Sequence, residues 1–275
     1  MLRMKKPAKY IPHTSANPLV DRLKSADRWW LLVIIVVALI VILIVFKPDP
    51  YLRILLFARD GVWVTFYTTI ISFSMVLVIG LIGGLGRISH NRLINGIASI
   101  YVEIVRGVPL LVQLIFWYFA FPSLIQDLGD AWNIPALSTY KANPLLMAIL
   151  GLTFCYSAYM SEVYRAGIES IPKGQMEAAR SLGMNYVQAM RYIILPQAVR
   201  MILPPVGNEF ITLLKDSSLV SVVAVADLTR RGREFMAANF IPVQTWFMVA
   251  LLYLILTLVA ARVVSWLEKH SRYER

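Results

Sequence analysis

The sequence predicts an all-α protein, a polytopic membrane helical bundle of about six transmembrane helices, and three observations predict it. Of 275 residues, 58% are hydrophobic and only 16% charged, with a mean hydropathy of +0.65; a soluble domain carries about 45–50% apolar and about 25% charged residues. The excess lies in long uncharged runs, and a helix crossing a bilayer needs about 20 mainly apolar residues. The basic residues sit mostly between those runs, where they orient a chain in a bilayer. So apolar a chain is not disordered. A single cysteine, Cys155, excludes an intrachain disulfide and says nothing of redox compartment.

The first span is 29–46. Its basic leader is long, and Lys47-Pro48-Asp49-Pro50 follows in place of a small-residue cleavage site, so it reads as an uncleaved anchor. The second, 61–86, contains Gly80, Gly83, Gly84 and Gly86, which read as close helix packing. In 92–105, Leu93, Ile94, Ile97, Tyr101 and Val105 recur at helical spacing. That fits a helix in the membrane interface, or equally an extension of the third span. The third and fourth spans are 107–126 and 142–161. The fifth, 201–226, is apolar enough to cross although it carries Glu209, Lys215 and Asp216. The sixth, 235–261, is longer than needed, and Pro242 marks its start.

With the N-terminus inside, eighteen Lys and Arg fall on the inner side and seven on the outer, which favours both termini in the cytoplasm. The net charge of +11 then reads as orientation within the lipid bilayer, with no nucleic acid partner. Arg230, Arg231 and Arg233 fall on the outer side, against that rule.

His13, His90 and His270 lie in a tail, a loop and the other tail, none near a second ligand at metal-binding spacing. No phosphate-cradling glycine loop occurs either. The chain is therefore expected to be no enzyme and to hold no cofactor or metal. The polar stretch 162–200 is more informative. Gln175 to Leu182 reads as two helical turns stopped by Gly183, where a positive φ costs glycine little. Asn185 with Gln188 reads as a cap opening a second short helix that Pro196 ends. Such a corner can transmit force from a soluble partner; as a bare pattern it fits a connecting loop equally well.

Glu177-Ala178-Ala179, three residues, Gly183, nine residues, then Ile193-Ile194-Leu195-Pro196 resembles the EAA loop of ABC importer permeases without a departure. Three further stretches resemble the polar amino acid uptake branch of that family: Arg106-Gly107-Val108-Pro109-Leu110-Leu111-Val112-Gln113, Tyr164-Arg165-Ala166-Gly167-Ile168, and Leu214-Lys215-Asp216-Ser217-Ser218-Leu219. The resemblance implies a five-helix type I importer core over 58–268. Residues 1–57 form a basic tail with an extra span, 170–200 the EAA coupling helices, and 269–275 a cytoplasmic tail. It further implies a bacterial cytoplasmic (inner) membrane location, a second permease copy or paralogue, a cytoplasmic ATPase dimer, and a soluble or periplasmic substrate-binding protein. Glu177 and Arg180 would meet the ATPase, and Gly183 would allow the turn between the coupling helices.

For the pathway, Glu209, Thr212 and Asp216 share one helical face, and Asn208 and Lys215 lie on a neighbouring stripe. Lys215 is roughly 20 Å into its span at 1.5 Å per residue. A charge that deep costs at least about 2.5–3.5 kcal/mol and normally faces a cavity or a partner. Lys215 and Asp216 can complement the carboxylate and ammonium of an amino acid, or can pair with other helices and lock the bundle. Thr65, Thr68 and Thr69 can complete the lining, or can bond back to their own helix. Two other readings compete. An ion-gradient-driven secondary transporter often shows inverted repeats, and none is found. A membrane enzyme or scaffold calls for a catalytic constellation or a soluble domain.

Overall fold

The computed structural model describes residues 28–271, and all regular structure among them is helical. The basic tail ahead of the first span, with His13, and the last four residues lie outside the described residues. In chain order the elements are α1 (Arg28–Phe46), α2 (Pro48–Ile88), α3 (Arg92–Gly107), α4 (Leu110–Ala131), the single turn α5 (Pro135–Ser138) and α6 (Pro144–Glu169). Then come α7 (Lys173–Ser181), α8 (Tyr186–Ala189), α9 (Leu195–Asp216), a 3-10 turn (Ser217–Val223), α10 (Leu228–Asn239) and α11 (Pro242–Ser271). By length and composition α2, α4, α6 and α11 can cross a membrane; Trp30–Phe46 is apolar but shorter. The 22 residues of α9 reach about 33 Å, and their charges set them apart from the other spans.

The bundle is built around α2 and α6, which run side by side in the same direction. The inner face of α2 carries Thr65, Thr68, Thr69 and Ser72, all buried, while Trp63, Val78 and Ile82 face outward. A more apolar outside than inside is what lipid contact selects, because lipid gives helices no hydrophobic reason to associate and small residues set the approach. Gly80 and Gly84 are such residues: a Cβ on Gly84 would stand 2.9 Å from the Ser161 carbonyl. The glycine-rich run is thus a packing seam.

The structure departs from the sequence expectations at several points. The second helix begins at Pro48, well before residue 61, so Arg53, Arg59 and Asp60 are helical; Arg53 reaches Asn239 at 3.0 Å. Of the two readings left open for 92–105, extension of the third span is the one not found: Arg92–Gly107 is a helix of its own, capped by Asn91 and parted from α4 at Gly107-Val108-Pro109. Its Val102 and Val105 pack towards Ala158, and Leu93, Ile97 and Ile104 face outward. The fifth span ends at Asp216, not 226, because the chain tightens into the 3-10 turn and Ala224 adopts a left-handed φ of 63°. Pro196 does not end the second short helix. A π turn at Met190–Ile194 carries α8 straight into α9, and proline fits the first positions after it, where its missing N–H is absorbed.

The arginines that fall against the orientation rule are all bonded to side chains in the structure. Arg230 bonds Glu234 at 2.9 Å, Arg231 bridges Glu234 and Asp60, and Arg233 donates to Ser221. Arg230 beside Glu234 holds that carboxyl below the usual carboxylate range. The cluster fastens α10 to α2 instead of standing as bare positive charge.

Candidate functional site

Mid-bundle, α4, α6 and α9 leave a cavity of about 200 Å³ lined by Leu110, Cys155, Tyr156, Tyr159, Glu209, Thr212 and Asp216. The period of α9 puts Glu209, Thr212 and Asp216 on the face that meets it. The Tyr156 hydroxyl donates to Asp216 Oδ2 at 2.7 Å. The Arg106 guanidinium, from the last turn of α3, stands 5.3 Å over the Tyr159 ring, a cation–π contact. Two carboxylates, Glu209 and Asp216, therefore line a small space, and the exposed Arg106 stands beside it over the Tyr159 ring.

A larger hollow, about 1090 Å³, lies at the end of the bundle between the α2–α3 turn and the α7–α8 corner. Glu169 and Lys173 are its only permanently charged walls, and Ile88, Met176, Tyr186 and Ile194 make it largely apolar. Between hollow and cavity, Arg87 pairs with Glu162, and Arg165 bonds both Glu162 and Glu169, tying α2 to α6.

The corner is closed by its own backbone. Gly183 takes φ +85°; its N–H donates to Arg180 O at 3.0 Å, and the Met184 N–H to Ala179 O at 3.2 Å. This is the Schellman pattern, which satisfies the last carbonyls of a helix. Asn185 and Gln188 then exchange hydrogen bonds of 2.9 Å each, a capping box. Glu177, Ala178 and Arg180 are exposed, while Ala179 is buried together with Ala189 and Ile194 on α8 and the π turn. Ile193 is half-buried, and Leu195 and Pro196 are exposed at the start of α9. Leu182 and Val187 are exposed beside them at 82% and 70%, an apolar surface at a protruding turn.

Of the pathway candidates, the structure brings together Glu209, Thr212 and Asp216. Lys215 and Asn208 are exposed and do not line the cavity. The Ser217 hydroxyl is buried and donates to Leu214 O. Thr69 bonds back to Thr65 O, and Thr65 accepts from the Leu228 N–H. The Thr68 hydroxyl is buried in the α2 seam without a partner and does not reach the cavity. Sequence reasoning missed Tyr156, Tyr159 and Arg106. Two tyrosines three apart in an otherwise uncharged run were the available signal, and Arg106 stood at the head of a stretch singled out without a role.

This geometry, a helical membrane bundle with a charged interior and a rigid corner at one end, is that of an ABC importer permease. The chain belongs to the family of binding-protein-dependent transport system inner membrane components, which matches residues 76–273. It is 36% identical to the glutamine transport system permease protein of Escherichia coli K12 over 213 residues, 78% of this chain and 92% of that one. It is 39% identical to the arginine transport system permease protein of Corynebacterium glutamicum over 207 residues, 75% and 65% of the two chains. Among solved structures, that of an amino acid ABC transporter with histidines matches at 33% identity and a TM-score of 0.70, covering 80% of this chain and 96% of that one.

Proposed function

We propose that this chain is the membrane permease of an ATP-driven importer of amino acids, in the bacterial cytoplasmic membrane with both termini in the cytoplasm. Two permease cores, identical or paralogous, would pair across the pathway. A soluble binding protein would deliver substrate on the outer side, and a cytoplasmic ATPase dimer would take hold of the corner. The observation that carries the reading is the cavity between α4, α6 and α9, where Glu209 and Asp216 line a space whose Tyr159 wall carries the Arg106 guanidinium over its ring, so that both signs of charge lie near a zwitterion held there. The names of the relatives support the substrate class, glutamine and arginine among them.

In this mechanism the ATPase pair closes on ATP and carries the corner with it. Because α8 continues through the π turn into α9, a displacement of the corner reaches Glu209, Thr212 and Asp216 along one nearly continuous helix. A helix transmits such movement as a rigid body because its backbone bonds are internal. Glu177 and Arg180 would contact the ATPase, with the exposed Leu182 and Val187 filling its groove. The charged walls would replace part of the water that the substrate sheds.

The test is reconstitution in liposomes with the ATPase and binding protein of the same organism's amino acid importer. Amino acid uptake should require all three components and ATP. Uptake by this chain alone, driven by an ion gradient, would establish the secondary-transporter alternative instead.

A further inference from the structure

The stretch from Arg106 to Gln113 joins α3 to α4, and its chemistry explains its shape. Pro109 has no N–H, so the Val105 carbonyl four residues back loses its helical donor. The Val108 carbonyl loses its own because the Val112 amide turns to Pro109 O. Two carbonyls are thus left in the bundle interior, where an unpaired polar group is costly. The Gln113 side chain, only 7% exposed, answers both: Nε2 donates to Val105 O at 2.8 Å and to Val108 O at 2.9 Å. The same nitrogen lies 3.4 Å from Cys155 Sγ in the cavity wall. The clamp fixes the last turn of α3, and that turn presents the exposed Arg106 over the ring of Tyr159, a wall of the cavity that Glu209 also lines. Among the described residues Arg106 makes no ion pair, so its planar fork of donors is free for an anion.

We propose that this elbow is the carboxylate-binding part of the pathway. Arg106 receives the α-carboxylate of the passing amino acid, Glu209 and Asp216 face its ammonium, and Gln113 is the positioning residue that holds the guanidinium in place. The proposal rests on the amino-acid reading given above.

The experiment is equilibrium binding to the complete transporter, purified with its ATPase and without binding protein. The probe is the twenty common amino acids in radiolabelled form, and the competitors are their α-amides, which lack the carboxylate charge. The wild type should bind the acids and be displaced poorly by the amides. Arg106→Gln should weaken acid binding about 10–100-fold, the loss of a hydrogen bond to a charged group, and erase the preference over amides; Arg106→Lys should keep part of both. Gln113→Leu should resemble Arg106→Gln. In Gln113→Leu the weak binding of the amides should stay at its wild-type level while acid binding falls, a selectivity that general destabilisation would not show. An absence of acid preference in the wild type, or its survival in Arg106→Gln, overturns the proposal, and an equal loss of acid and amide binding in Gln113→Leu removes Gln113 from it. ATP-driven amino acid uptake that persists in those cases leaves the import reading standing; wild-type complex that takes up no amino acid sinks that reading itself.

Discussion

At the corner, residues 172–188 close their own hydrogen bonds within a few positions along the chain, from Gly183 to Arg180 and from Asn185 to Gln188. The cavity is assembled from three helices, and the hydrogen bond that joins two of its walls, Tyr156 to Asp216, spans sixty positions. The corner is therefore held by backbone conformation and is indifferent to what the bundle does. The cavity exists only when α4, α6 and α9 are packed, and that packing alone brings its carboxylates beside Tyr156 and Tyr159. Damage should differ in kind as well. A cavity variant should leave the ATPase attached and turning over while substrate fails to pass. A corner variant should leave the cavity intact and disconnect it from ATP.

The largest effect is expected at Asp216. Asp216→Ala should abolish uptake by proteoliposomes while membrane insertion and co-purification of the ATPase stay normal. Tyr156→Phe removes only the donor and should slow uptake about tenfold, the typical worth of a hydrogen bond to a charged group. Normal uptake by Asp216→Ala would remove the pathway assignment, and loss of the ATPase with it would erase the distinction between the two regions.

Gly183→Val comes next. No atom lies within 4 Å of a Cβ placed there, so space is not the obstacle; the φ of +85° is. A left-handed residue other than glycine costs about 1–2 kcal/mol, more when β-branched. Binding of radiolabelled amino acids to the purified complex should be unchanged, while ATP-driven uptake falls at least tenfold. Wild-type docking and uptake would show that the turn is a mere connection.

The same contrast explains what could be read in advance. Gly183, Asn185 and Gln188 were legible because their roles depend on neighbours a few residues away. The bundle was legible from its apolar runs, and the Glu209, Thr212 and Asp216 face from helical period alone. Tyr156 and Tyr159 were not, since nothing in an uncharged run tells which side of a helix meets a cavity. Lys215 was weighed with Asp216 because both are charged and deep, yet adjacent helical residues point about 100° apart, and only Asp216 lines the space. Pro196 misled because a proline stops a helix by removing one donor, and a π turn just before it makes that donor unnecessary. The Arg230, Arg231 and Arg233 cluster stays an exception to the orientation rule, which counts Lys and Arg alone, and its ion pairs with Asp60 and Glu234 depend on packing that no charge count reveals.

The smallest expected effect tests whether the corner is as local as its hydrogen bonds suggest. Asn185→Ala deletes the side-chain half of the capping box, a loss of about 0.5–2 kcal/mol for such caps, and Gln188→Ala deletes the other half. If the two act as one reciprocal device, the double variant should cost little more than the worse single variant, since neighbours sharing a network are not additive. Uptake should fall only a few-fold in each, with Asn185→Asp near wild type because an aspartate caps as well. Hydrogen exchange at the Tyr186 to Ala189 amides should rise in both single variants while the α6 amides around Tyr156 stay protected. Loosening that spreads to α6 would mean that corner and cavity are one cooperative unit, and the contrast drawn between them would fail.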